Sequence, residues 1–279
     1  MGVTNAAALP AMKTNPKFIF FTDFDGTITL QDSNDYMTDN IGFGLDKRRQ
    51  GNLDTLHNKI AFRDSFREMM DSITTPYNEC IQLLLDNIKL DPYFKEFFDW
   101  SLQNNVPVVV LSGGMEPIIK ALLEKLVGPD AEKMLVLGNY VAARLGKSIN
   151  EKGGWEIQFR HPESGFGHDK SVALREYSSL PDDVRPTMFY AGDGVSDLSA
   201  ARETDLLFAK KGHDLISYCA REQVPFTVFE DWSSILAKCK EIVAGQTTVQ
   251  DAAKEGWEAY KSGAAGVEPE TGVAQATVK

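Results

Sequence analysis

Short apolar runs alternate with amphipathic segments along most of this chain. The apolar runs have strand length and cover residues 18–21, 107–111, 187–190, 206–209 and 226–229. Continuous apolar strands are typical of a parallel sheet that is buried on both faces. Because helical patterns separate these runs, the sequence predicts an α/β fold, a three-layer Rossmann-like parallel sheet with helices on both faces.

A different pattern fills the space between the first two strands. Phe62, Phe66, Met69 and Ile73 recur there at helical spacing, and no strong strand run interrupts them. This segment therefore predicts a helical cap inserted into the core. The predicted boundaries are a flexible arm at 1–16, the core at 17–31 and 101–245, the cap at 32–100, and a largely disordered tail at 246–279 with one short helix around Trp257 and Tyr260.

One apolar segment has strict alternation instead. Residues 155–159 read Trp-Glu-Ile-Gln-Phe, with every second position apolar. Alternation of this kind indicates a strand with two unlike faces. We therefore expect an exposed hairpin arm at this place.

Charge and cysteine content narrow the class of protein. The net charge of −11 disfavours a nucleic-acid or anionic-membrane partner. No apolar run is long enough to span a bilayer, and no secretory leader is recognisable. Cys80, Cys219 and Cys239 form no CxxC pair, which indicates reduced thiols. Cys80 and Cys219 lie in apolar helical stretches, where we expect buried thiols. We expect a cytoplasmic protein, with the nucleus left open as a second location.

The strongest candidate chemistry follows the first strand. Asp23 and Asp25 lie two positions apart, so an extended backbone projects their carboxylates the same way. Gly26 and Thr27 follow, and the glycine lets the chain turn sharply. Two acids at the end of a buried strand are costly unless a cation or a reaction requires them. The ends of parallel strands are also where α/β sheets place their sites.

Three further segments add polar groups at matching positions. Ser112 and Gly113 follow the second strand, and the string GDGVSD at 192–197 follows a later one. Lys170 lies between them in the string FGHDK. Each segment alone is a modest signal, but their order and spacing together are specific.

These four segments resemble the four motifs of the haloacid dehalogenase superfamily, in its phosphatase branch. The motif positions are DFDGT at 23–27, Ser112 after VVVL, Lys170, and GDGVSD at 192–197. The helical insert resembles the cap of phosphoserine phosphatase. The runs TDFDGTIT, DSND, FGHDK and GDGVSDLSAA are similar to fungal small-molecule phosphatases, including ones that act on polyol phosphates.

The resemblance implies a role for each acidic residue. Asp23 would be the nucleophile that forms an aspartyl phosphate. Asp25 would protonate the leaving group and then deprotonate the attacking water. Asp23, the backbone carbonyl of Asp25 and Asp193 would hold Mg²⁺, whose charge offsets the repulsion between carboxylate and phosphate. Asp197 would complete the metal site or orient Lys170, although as an alternative it caps a following helix.

The same resemblance implies the phosphate contacts. Ser112, the amide of Gly113 and Thr27 would hydrogen-bond the transferring phosphoryl group. Lys170 would balance the charge on that group and on the nucleophile. Ser196 occupies a place where related enzymes often carry asparagine, so it is either a phosphate contact or a solvent-facing residue.

Substrate choice is expected to come from the cap. Asp32 lies nine residues after Asp23 and matches the acid that phosphoserine phosphatases use on the substrate ammonium. Arg67 falls near their carboxylate-binding arginine, with Arg63 one turn earlier as a competitor and a solvated charge as the alternative reading. A polyol phosphate would need only hydroxyl partners, which Asp32 and its neighbours supply unless that segment serves only as a helix N-cap.

We therefore predict Mg²⁺-dependent hydrolysis of a small phosphomonoester, a sugar or polyol phosphate. The alternatives are a phosphoserine phosphatase, a phosphomutase or phosphotransferase of the same superfamily, and a non-catalytic regulatory protein on the same scaffold. Asp25 argues against a dehalogenase, because that reaction does not need the second aspartate.

Overall fold

Strands and helices alternate through the part of the chain that the structure describes. This computed structural model covers residues 8–57 and 59–270. Residues 1–7 of the predicted arm and 271–279 of the predicted tail lie outside it. The strands are β1 (Phe18–Thr22), β2 (Val108–Met115), β3 (Leu135–Ala143), β4 (Trp155–Gln158), β5 (Thr187–Gly192), β6 (Leu206–Lys210) and β7 (Phe226–Phe229).

Helices separate most of the strands. Over the same described residues they are α1 (Ser33–Ile41), α2 (Leu45–Leu56), α3 (Phe62–Asp71), α4 (Tyr77–Asn87), α5 (Phe94–Gln103), α6 (Glu116–Val127), α7 (Lys170–Ser178), α8 (Asp214–Arg221), α9 (Trp232–Val243) and α10 (Val249–Lys261). None of the described helices is long and apolar enough to cross a membrane.

The strands belong to one mostly parallel sheet, in the order β4-β3-β2-β1-β5-β6-β7. Parallel pairing runs from β1 through β5 and β6 to β7, with Phe18 opposite Thr187 at its start. β3 and β4 are antiparallel, and Ala143 lies opposite Trp155. Five helices, α1 to α5, come between β1 and β2 in the sequence. The predicted α/β fold is confirmed.

The chain divides into two compact units. The first comprises residues up to Asp23, Asp91–Val109 and residues from Lys170 onward. The second comprises Phe24–Leu90 and Val110–Asp169. The domain boundaries given from the sequence stay a prediction.

In the first unit, helices cover both faces of β1. Phe20 and Phe21 are fully buried and point to opposite faces, as successive strand residues do. The Phe20 ring contacts Phe97 of α5 and Trp232 of α9, at centroid distances of 4.8 and 5.5 Å. The Phe21 ring contacts Tyr177 of α7 at 5.3 Å. The helices on both faces explain why β1 is apolar at every position before its end.

The last described helix, α10, packs on β7 in the same unit. Gly256 lies so close to the backbone of Phe226 and Thr227 that any Cβ there would overlap with it. Trp257 and Tyr260 are buried beside this contact. The structure thus places a helix at the two aromatic residues around which the sequence predicts one.

In the second unit, the hairpin of β3 and β4 differs from its prediction. Trp155 and Ile157 are each 1% exposed, so the predicted exposed arm is wrong. The Trp155 indole N–H donates to the carbonyl of Thr75 at 2.9 Å, and its ring contacts Tyr77 at 5.4 Å. The alternation correctly marks a strand with two faces, but the apolar face packs on the helical insert.

The cysteines agree with their prediction. Cys80, Cys219 and Cys239 are buried, and none forms a disulfide. Burial raises the pKa of the Cys80 thiol to about 12, which leaves it uncharged.

Candidate active site

In the first unit, Asp23 stands directly after β1. Its backbone N–H donates to the carbonyl of Ala191 at 2.8 Å, which extends the pairing of β1 with β5 by one residue. Its side chain is only 7% exposed. A sheet hydrogen bond therefore holds the candidate nucleophile at a defined position.

Lys170 is the first residue of α7 and is fully buried. Its Nζ lies 3.1 Å from Oδ2 of Asp23, 2.7 Å from Oδ1 of Asp197 and 3.0 Å from the hydroxyl of Tyr190. Burial alone would lower the pKa of Lys170, but the carboxylates of Asp197 and Asp23 outweigh burial and raise it. The lysine is thus a cation fixed between two acids.

Asp197 is also fully buried, and each of its two carboxylate oxygens accepts two hydrogen bonds. Oδ1 accepts from Lys170 and from the Tyr190 hydroxyl. Oδ2 accepts from the backbone N–H groups of Asp193 at 2.9 Å and Gly194 at 3.0 Å. A Cβ at Gly192 would overlap with this carboxylate. Asp197 therefore joins the lysine to the loop that carries Asp193.

The alternative reading of Asp197 as a helix N-cap is wrong. Val195–Asp197 forms a short 3-10 turn, and no α-helix follows until Asp214 in the described chain. The side chain bonds backward to the loop before it, and only the main-chain carbonyl accepts from Ala200 and Ala201.

Three carboxylates of this unit could hold a metal ion. Asp23, Asp193 and Asp197 each offer one oxygen, and these oxygens lie within 4.8 Å of one another. An all-oxygen donor set suits a hard cation such as Mg²⁺. Ser196 lies beside them, since its hydroxyl is 3.3 Å from Oδ2 of Asp23. His213, which the sequence did not single out, has its Nδ1 3.7 Å from Oδ2 of Asp193.

In the second unit, Asp25 is held at the N-terminus of α1. Its Oδ1 accepts from the backbone N–H of Ser33 at 2.8 Å, and its Oδ2 accepts from Nδ2 of Asn34 at 2.9 Å. Gly26, with a φ of 71°, makes the intervening turn possible. Thr27 is buried in that turn at 1% exposure. The second aspartate therefore has a defined carboxyl plane.

The candidate phosphate loop, Ser112 to Gly114, lies in this unit as well. The buried Ser112 hydroxyl accepts from the N–H of Gly114 at 2.9 Å. The carbonyl of Gly113 accepts from Nδ2 of Asn139 at 2.7 Å, and that of Ser112 from Nδ1 of His168 at 2.7 Å. His168 thus fixes the loop through the main chain of Ser112.

The acids of α1 and its N-cap surround Arg48 and form an ion-pair cluster. Asp32 is the N-cap of α1, and its Oδ1 accepts from the N–H groups of Asn34 and Asp35 at 2.8 Å. Arg48 binds Asp35 at 2.6 Å and Asp39 at 2.7 Å. Burial and then Asp32 raise the pKa of Asp35 to about 7, against the opposing effect of Arg48. Burial likewise raises the pKa of Asp32.

The two candidate arginines of the cap differ in their contacts. Arg63 donates to Asp64 at 2.7 Å and to the carbonyl of Pro162 at 2.6 Å. The Arg67 guanidinium instead lies over the ring of Phe159, 4.7 Å from its centroid. Its charge acts on Asp64 at longer range, whereas Arg63 makes the direct ion pair with that carboxylate. Arg67 is thus the better placed of the two to bind an anionic group.

Comparison with known proteins decides the family. Residues 20–202 match the haloacid dehalogenase-like hydrolases. The chain belongs to this family. Polyol phosphate phosphatase PYP1 of Saccharomyces cerevisiae is 47% identical over 242 residues, which cover 84% of this chain and 98% of the yeast protein. Pdp3-interacting factor 1 of Schizosaccharomyces pombe is 46% identical over 80% of this chain and 95% of its own.

A solved structure agrees on the fold. A phosphoserine phosphatase, solved as an analogue of its phospho-aspartyl intermediate, superposes with a TM-score of 0.59 at 18% identity. The match covers 80% of this chain and 98% of that one. The prediction of a phosphatase of the haloacid dehalogenase family is confirmed.

The structure gathers the predicted residues into two groups, one in each unit. Asp23, Lys170, Asp193, Ser196 and Asp197 form the first, to which the structure adds Tyr190 and His213. The second contains Asp25, Thr27, Asp32, Ser112 and Gly113, to which it adds Asn34 as a partner of Asp25, Gly114 and Asn139. One sequence signal could have identified Tyr190 as a site residue. It is a tyrosine in a mostly apolar strand that ends shortly before acidic residues.

Proposed function

We propose that this protein hydrolyses the phosphomonoester of a small polyol or sugar, through an aspartyl phosphate on Asp23. The observation that carries the proposal is the fully buried Lys170, held between Asp23 and Asp197. Burying a lysine and two acids together is costly unless the charges serve a reaction. The name of the yeast relative supports a polyol phosphate as the substrate.

The first half of the reaction forms the covalent intermediate. A carboxylate oxygen of Asp23 attacks phosphorus, and the bond from phosphorus to the substrate oxygen breaks. Lys170 balances the charge of the carboxylate and the phosphoryl group. Asp25 gives its proton to the departing oxygen, which leaves as an alcohol. Ser112 and the amide of Gly113, with Thr27, would hydrogen-bond the phosphoryl oxygens.

The second half regenerates the enzyme. Asp25, now a carboxylate, takes a proton from water as that water attacks phosphorus. The bond from phosphorus to Asp23 then breaks, and inorganic phosphate leaves. Proton and electron pair balance over the two steps, so no further reactant is required.

A magnesium ion fits the acids of the first group. Asp23 and Asp193 would hold it through carboxylate oxygens that lie close to one another. The family resemblance adds the backbone carbonyl of Asp25 as a further oxygen donor. When bound, the ion would offset the charge repulsion between phosphate and carboxylate. Because both oxygens of Asp197 already accept two hydrogen bonds, we assign Asp197 to positioning Lys170 and the loop of Asp193.

Metal removal tests this assignment. We expect EDTA to lower phosphate release by at least about 10²-fold, because the charge compensation is lost. Added Mg²⁺ should restore it. The measurement is phosphate release from glycerol 1-phosphate, sorbitol 6-phosphate and phosphoserine, each with Mg²⁺ and with EDTA. Full activity after dialysis against EDTA would contradict the metal site, and no release from any substrate would contradict the proposed function.

One observation favours a second candidate, a phosphoserine phosphatase. The Arg67 guanidinium stacks on the ring of Phe159, whereas the direct ion pair with Asp64 belongs to Arg63. For a polyol phosphate, Arg67→Ala should change kcat/KM by less than about 3-fold. For phosphoserine, loss of a charge-assisted hydrogen bond should lower kcat/KM by roughly 10–10²-fold.

The matched control for this test is Arg63→Ala on the same helix, which should change kcat/KM little for either substrate. We expect the polyol phosphates to be the better substrates and insensitive to Arg67. A preference for phosphoserine together with a large Arg67 effect would overturn the polyol assignment. Label transfer to a second sugar, in place of release to water, would instead indicate a phosphotransferase.

A further inference from the structure

Both oxygens of the Asp25 carboxylate are bound by the first turn of α1. The contact to Oδ1 comes from the main chain at Ser33, and the contact to Oδ2 comes from the side chain of Asn34. A substitution at Asn34 can therefore remove the contact to Oδ2, whereas the contact from the main chain at Ser33 would remain. Asn34 is only 5% exposed, so solvent does not readily replace its amide.

Asn34 is itself held in place. Its backbone carbonyl accepts from the buried hydroxyl of Thr38 at 2.8 Å, and its backbone N–H donates to the N-cap Asp32. On the other side, a Cβ at Gly114 would lie 3.3 Å from Nδ2 of Asn34 and 3.2 Å from Oδ2 of Asp25. The amide and the carboxylate thus meet in a space that admits glycine and is tight for a larger residue.

We propose that Asn34 is a positioning residue for proton transfer by Asp25. The amide of Asn34 and the backbone N–H of Ser33 each bind one oxygen of Asp25, and together they fix the carboxyl plane from which the proton is transferred. Helix α1 begins at these residues, so the contacts to Oδ1 and Oδ2 link the proton donor directly to the first turn of this helix. This inference rests on the proposed function and deepens it.

The proposal has a signature that a purely structural role lacks. When the bond from phosphorus to the substrate oxygen breaks, the electron pair stays on that oxygen. An alkoxide needs the proton of Asp25 at that moment, whereas an aryl oxide such as 4-nitrophenolate leaves well without it. A misplaced proton donor therefore slows alkyl phosphates much more than aryl phosphates.

The experiment compares kcat/KM for glycerol 1-phosphate and 4-nitrophenyl phosphate in wild type, Asn34→Ala and Asp25→Asn. We expect Asn34→Ala to lose roughly 10–10²-fold with the alkyl phosphate, the scale of a misplaced catalytic group, and less than about 3-fold with the aryl one. Asp25→Asn should show the same selectivity at larger amplitude, about 10²–10⁴-fold with the alkyl phosphate.

Two further variants keep the test decisive. Asn40→Ala removes an exposed amide of the same helix, which donates to the carbonyl of Tyr36. This variant should leave kcat/KM unchanged for both substrates. Asn34→Ser keeps a donor of smaller size and should recover part of the alkyl activity, which also covers the case in which Asn34→Ala folds poorly.

The outcomes separate the two claims. Suppose that Asp25→Asn slows the alkyl phosphate more than the aryl one. If Asn34→Ala then lowers kcat/KM equally for both substrates, or for neither, the positioning role is overturned but the proposed mechanism is not. Absence of selectivity in Asp25→Asn, or no phosphate release by the wild type, would overturn the proposed mechanism and the inference together.

Discussion

Replacing Lys170 by methionine is expected to abolish phosphate release and to lower the free energy of unfolding by about 3–5 kcal/mol. Methionine keeps much of the side-chain length but removes the charge that Asp23 and Asp197 share. Two buried carboxylates would then face each other without a cation. Since the carboxylates raise the pKa of Lys170, its stabilising effect should be present throughout the neutral range and be lost only at strongly alkaline pH.

Urea unfolding followed by circular dichroism measures this effect. The matched control is Arg175→Met on the same helix, because Arg175 is 60% exposed and pairs with Glu203 at the surface. Its effect should stay within about 0.5 kcal/mol. If Lys170→Met were as stable as this control, the buried ion pairs would not contribute to folding as we describe.

Asp23→Asn should have the largest effect on activity, a loss in kcat of roughly 10⁴–10⁶-fold, the scale seen when a covalent nucleophile is removed. The amide nitrogen and oxygen are weak nucleophiles, so no aspartyl phosphate forms. Rapid acid quench followed by mass spectrometry should detect a phosphorylated Asp23 peptide in the wild type and none in the variant.

Binding measurements on the same variant distinguish an enzyme from a regulatory protein. Calorimetric titration with the best substrate of the panel should show affinity within about tenfold of wild type, because the phosphate contacts proposed for Ser112 and Gly113 do not involve the substituted side chain. Turnover that persists in Asp23→Asn, or a phosphorylated peptide elsewhere in the chain, would exclude Asp23 as the nucleophile.

Much of the fold was predictable because its signals are local. The strand β1 and its two acids lie within a few consecutive residues. The apolar residues of β1 are the ones that helices bury on the two faces of the sheet. The order of the four motifs likewise depends only on the chain. These features need no knowledge of what packs against them.

The remaining features depend on contacts between distant residues. Trp155 looked exposed because nothing in its own strand shows that Thr75 and Tyr77 cover it. Asp197 was ambiguous for the same reason, since its partners Lys170 and Tyr190 are 27 and 7 residues away. The role of Asn34 is visible only once the turn at Gly26 brings α1 back to Asp25.

The packing of α10 has a consequence for the behaviour of the protein in solution. β7 is the last strand of the sheet order, and an outer strand offers unpaired amide and carbonyl groups to any other extended chain. The close approach of Gly256 to the backbone of Phe226 places a helix against that strand. We therefore expect α10 to hinder edge-to-edge pairing of β7 with another chain, and the missing side chain of Gly256 is what lets the helix lie so close.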